Sequence, residues 1–90
     1  MNKNLQAADF AHYVNQKFSI KFSPAETVEA ILTEVIESSP QTFSIIFKLS
    51  QVNVAPQGIY TISHEKLGEL NLFLVPISPE HYEAVFNYVE

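Results

Sequence analysis

SPAETVEAILTEVIES, residues 23–38, satisfies two secondary-structure templates at once. Val28, Ile31, Leu32, Val35 and Ile36 recur at i, i+3, i+4, i+7 and i+8, which is the stripe of a helix that buries one face. Ser23 and Glu26 have the spacing of a capping box, and Pro24 stands where a first helical residue tolerates proline. The same letters also make a strand. Val28, Ala30 and Leu32 alternate along one face, and one extra residue before Val35 would restore the phase as a β-bulge. Taken alone, the stretch favours the helix.

Its neighbours are simpler. In FSIKF, residues 18–22, Phe18, Ile20 and Phe22 alternate with Ser19 and Lys21, as a half-buried strand requires. In TFSIIFKLS, residues 42–50, Phe43, Ile45, Phe47 and Leu49 line one face. QVNVAPQG, residues 51–58, reads as a loop or edge segment that ends in a turn, with Pro56 suited to its second position. IYTISH and ELNLFLVPI flank EKLG, a hairpin of the four- or five-residue class with Gly68 at positive φ. HYEAVFNYV puts Tyr82, Ala84, Phe86 and Tyr88 on one face. Upstream, LQAADFAHYVNQK, residues 5–17, places Ala7, Phe10, Ala11 and Val14 on one side of a short helix that Asn4 could cap.

Ninety residues form one domain spanning 1–90, with no repeat or linker in view. With 47% apolar residues, seven Phe and four Tyr, the chain has the material for a packed core. Cysteine is absent, which removes disulfides and thiolate metal sites. No stretch resembles a signal peptide or is long enough to cross a bilayer as a helix, so a cytoplasmic location without membrane contact is expected. Net charge is −5, arginine is absent and the five lysines are scattered, so no nucleic-acid partner is expected.

From residue 43 onward, FSIIF, PQGIYTISHEKLGELNLFLVPI and YEAVFN together resemble a family of small bacterial proteins known as a domain of unknown function, the DUF6916 type. The resemblance extends upstream to ADFAHYVNQKFSI, where a glycine expected in place of Asn15 is absent. It implies a β-rich fold in which residues 28–36 follow the pattern L-x-L-x-x-V. That tips the opening stretch toward a bulged strand through Ala30, Leu32 and Val35. The expected architecture is α+β and mainly antiparallel: an N-terminal helix and five or six short strands forming a rolled sheet or small open barrel. If residues 24–37 were helical, a helix–strand–helix–sheet packing would follow instead.

Sites of chemistry are sparse. His64 lies between Ser63 and Glu65, but neighbours in a strand face opposite sides, so it reads as a turn-forming residue together with Gly58 and Gly68. His12, His64 and His81 have no metal-ligand spacing, and two glycines ten residues apart make no phosphate cradle, so no metal, cofactor or catalytic residue is expected. The pairs Glu26/Glu29, Glu34/Glu37 and Glu65/Glu69 read as solvated positions. The strand over residues 69–77 has the one anomaly. Leu70, Leu72 and Leu74 should fill the core, yet Phe73 and Val75 make the opposite face apolar too, joined across the hairpin by Tyr60 or Ile62. Either the N-terminal helix covers that face or a partner does. The expected function is a non-catalytic protein-interaction or assembly module that binds another protein or itself through Tyr60, Ile62, Phe73 and Val75 or a free sheet edge. The resemblance implies an accessory of phage-tail-like or fibre assembly. A small-molecule-binding barrel and an enzyme using His64 are the alternatives.

Overall fold

The computed structural model describes residues 5–39 and 42–87. A short helix, α1 (Ala7–Ala11), precedes six strands: β1 (Lys17–Ser23), β2 (Glu26–Ser39), β3 (Thr42–Leu49), β4 (Gly58–His64), β5 (Gly68–Ser78) and β6 (His81–Asn87). All neighbours are antiparallel and close a barrel in the order β1-β2-β3-β6-β5-β4. The barrel is closed rather than open. The seam is β1 against β4, held by Ser19↔Ser63, Ile20↔Ile62 and Lys21↔Thr61.

Residues 26–39 are strand, as the L-x-L-x-x-V pattern implied, and the helical stripe is overruled. The pairing of β2 with β3 runs through Leu32↔Phe47 and resumes at Glu34↔Ile46, so Thr33 is the extra residue of a bulge. Its hydroxyl donates to the Ile46 carbonyl at 3.1 Å. Before the bulge Val28, Ala30 and Leu32 face inward and are buried; after it Val35 takes over the inward side. Apolar spacings of two, two and three imitate a helical period here. Two flanking strands, each able to satisfy the backbone of β2, settle the geometry against the local propensity.

The helix is shorter than the 5–17 expected. Its first turn is closed by the Asp9 carboxylate, which accepts the Gln6 N–H at 2.7 Å. Ala7 and Phe10 are buried, whereas Ala11 is exposed. The chain then turns, with Asn15 at φ 74°, and enters β1. Asn4 lies outside the described residues, as does Tyr88. Phe10 inserts into one mouth of the barrel, its ring centroid 5.3 Å from Phe86 and 6.1 Å from Phe43. Phe43 and Phe86 stack on each other at 4.6 Å with an interplanar angle of 9°.

The interior is packed with side chains. Phe10, Phe18, Ile20, Leu32, Phe43, Ile45, Phe47, Ile62, Leu74 and Tyr82 are all buried. Tyr82 carries the one phenol deep in this set, and its oxygen works in both directions. It donates to the Asn53 carbonyl at 3.0 Å and accepts the Ala55 N–H at 3.0 Å. That oxygen holds down the loop over residues 50–57, which is not strand at any point.

Candidate functional site

The β4–β5 hairpin is tighter than expected. His64 pairs directly with Gly68, leaving three connecting residues, Glu65, Lys66 and Leu67. Gly68 has the expected positive φ, 77°, at the point where the strand resumes. Gly58 is not a turn residue. It opens β4, pairs with Leu74, and lacks the positive φ that distinguishes Gly68.

His64 closes this hairpin from inside. Its Nδ1 accepts the backbone N–H groups of Lys66 at 3.0 Å and Leu67 at 3.4 Å. An Nδ1 that accepts leaves the proton on Nε2, which donates to Oε1 of Gln16 at 3.0 Å. The ring packs 4.5 Å from both Tyr13 and Phe18. With 6% exposure and both nitrogens engaged, it holds a turn by accepting amide protons. Those ring bonds go to Gln16, Lys66 and Leu67, and neither Ser63 nor Glu65 supplies one of them. Ser63 lies in an outward polar row, Glu29–Ser19–Ser63–Glu69, that crosses β2, β1, β4 and β5. This row lines a broad depression of about 690 Å³ together with Lys17, His64 and Glu65. His12 lies against Tyr13, and His81 bonds to the Ser78 hydroxyl at 2.8 Å. Among the described residues no group of three or more His, Asp or Glu could hold a metal ion, and no helix is long and apolar enough to cross a membrane.

The apolar exterior of β5 is present, with a different membership. Phe73 is 48% exposed, and its cross-strand partner is Ile59, 71% exposed. Val75 is half-buried beside Glu83. Tyr60 and Ile62 belong to the inner face. Ile62 is fully buried, and Tyr60 packs on the core with its hydroxyl bonded to the Pro56 carbonyl. The reason is register: the three-residue turn pairs Ile59 with Phe73 and Tyr60 with Leu72, so even-numbered residues of β4 point inward. Reading His64 and Gly68 as a pair would have identified Ile59 from the sequence. Val85, 59% exposed on β6, belongs to the same exterior, and its parity opposite Tyr82, Ala84 and Phe86 is the sequence signal that could have found it. The described part of α1 packs against β2 and β3 and does not cover this face.

Beside Phe73 the barrel wall is incomplete. The β5–β6 ladder starts at Leu74↔Ala84 and continues toward Ser78↔His81. Above it Gly68–Phe73 pairs with β4 and, among the described residues, with no strand on its other side. A depression of about 380 Å³ occupies this slit, with Leu70, Leu72, Phe73, Ala84 and Val85 in its walls and Leu5 alongside. Leu70 and Leu72 are partly buried core residues that the slit leaves within reach of solvent.

The family described as Domain of unknown function (DUF6916) matches residues 5–86, and the chain belongs to that family. Neither the curated proteins nor the solved structures yield a match.

Proposed function

We propose that this member of the DUF6916 family is a non-catalytic protein-interaction module that docks another protein on the outer face of β4 and β5. The observation that carries this reading is the Ile59–Phe73 pair, two large apolar side chains facing solvent beside a strand segment whose other edge no described residue pairs. Toward the hairpin the exterior of the same strands is polar: Thr61 bonds to Asn71 through their side chains at 2.9 Å, and Ser63 faces Glu69. The other way along β5, half-buried Val75 and exposed Ile77 continue the apolar character. An exposed apolar patch bordered by polar residues on its hairpin side is the pattern of a docking surface. A phage-tail-like or fibre assembly is the setting that the family resemblance implies for such an accessory.

A photo-cross-linking residue at position 73, expressed in the native cell, tests the reading. A covalent adduct with one defined protein, absent when the same residue is placed at the polar position 61, is the expected result. Equal labelling from both positions, together with a strict monomer by light scattering, would overturn it.

A further inference from the structure

We propose that the slit between β5 and β6 is a strand-acceptor site: it takes an extended segment of another protein, apolar at alternate positions and basic between them, and pairs that segment to the β5 edge. The inference rests on the interaction reading above and specifies the partner's chemistry.

The backbone argument starts at Pro76. Proline has no N–H to exchange, so Pro76↔Tyr82 is a pair without mutual hydrogen bonds. Antiparallel ladders alternate, so Val75↔Glu83 is the exchanging pair, and Val75 turns its N–H and C=O toward β6. No register shift interrupts β5 between Gly68 and Leu74. Phe73, Asn71 and Glu69 therefore turn their N–H and C=O the same way, toward the slit. That gives an edge about 13 Å long, at roughly 3.3 Å per residue, which no described residue pairs and which an added strand can extend.

Side chains fix what the strand would carry. Its inward residues would meet Leu70, Leu72 and Ala84, which calls for apolar groups. Its outward residues would lie between Phe73 and Val85, with Glu69 and Glu83 on the same side of the wall. Those two glutamates are the only Asp, Glu or Lys residues in β4, β5 and β6. Lysine or arginine at outward positions complements them. A second copy of this chain fits poorly, because each carries −5 and its own β5 would bring another Glu69 to the slit.

The test uses the full chain and a displayed library of ten-residue segments, apolar at alternate positions with Lys, Ser or Thr between them. A matched library replaces Lys by Glu. Binders are expected from the first library and not the second, and they should slow hydrogen exchange at the Asn71 and Phe73 amides. Asn71→Pro removes an N–H that faces the slit and none that pairs with β4. It should weaken binding about tenfold or more, whereas Asn71→Ala, which keeps the backbone, should stay within about twofold. Should Asn71→Pro fail to fold, the exchange measurement on the natural chain decides. Binders that protect no β5 amide, equal binding by both libraries, or self-association through β5 in light scattering would each overturn the proposal. Binding lost in Phe73→Glu yet unchanged in Asn71→Pro would overturn strand addition and leave the interaction reading standing. No binder and no cross-link would overturn both.

Discussion

The backbone N–H of Asn15 donates to the Leu32 carbonyl at 2.7 Å, and the Leu32 N–H returns a bond to the Gln16 carbonyl at 3.2 Å. Asn15 makes this contact while held at φ 74°, a conformation that asparagine tolerates and glycine adopts freely. The glycine that the family pattern places here thus has a physical reason, and asparagine is its nearest substitute. Asn15→Ala should cost about 1 kcal/mol and lower the melting temperature by about 4–8 °C. Asn15→Gly should lie within about 0.5 kcal/mol of the natural chain. Urea unfolding of both variants checks the pair, and equal stabilities would contradict the backbone explanation.

The His64 ring joins the hairpin, the α1–β1 turn and the core. His64→Ala leaves the Lys66 and Leu67 amides without their acceptor and should cost about 1–3 kcal/mol, with a further loss from the space between Tyr13 and Phe18. His64→Asn restores a short acceptor of the kind that caps turns, so it should be the milder change. Denaturant midpoints for the two variants give the order directly.

Thr33 contributes more by being present than by its chemistry. Thr33→Ala removes one exposed hydrogen bond to Ile46 and should cost about 0.5–1 kcal/mol. Deleting residue 33 shifts one half of β2 by a residue against its partners and sends Val35 to the wrong face. The deletion should abolish the cooperative unfolding transition, whereas the alanine variant keeps it. Circular dichroism during thermal unfolding separates the two outcomes.

Tyr82→Phe keeps the ring inside the barrel and removes the oxygen that holds the loop. The Ala55 N–H loses its acceptor and the Asn53 carbonyl loses a donor, at about 1–3 kcal/mol. Proteolysis and amide exchange over residues 51–57 should accelerate while the β3–β6 ladder stays protected. Uniform acceleration across the chain would show instead that the phenol supports the whole barrel.

Much of this molecule was legible because its strands alternate plainly. Phe18 and Ile20, or Phe43, Ile45 and Phe47, need no context to be placed inward. Residues 23–38 were ambiguous for a definite reason: a bulge adds one residue to a period of two, and the sum mimics a helix. Barrel closure left no local trace, because Ile20 and Ile62 meet only after four strands have been laid between them. The site was half visible. Phe73 announced itself by parity within its own strand, but Ile59 depended on the turn length, and the slit depended on where the β5–β6 ladder starts. Ladder starts are set by the curvature of the closed sheet, which no single strand encodes.

α1 has a bearing on how the molecule opens. Its five residues are too few to be stable alone, and no ladder pair includes any of them. What fixes it is chiefly one aromatic ring, Phe10, seated against Phe43 and Phe86. It behaves as a stopper in a bottle: withdrawing it exposes the mouth of the core and breaks no stave. The protein therefore has two tiers of stability, a cheap opening at the N-terminal end and a costly one around the hoop.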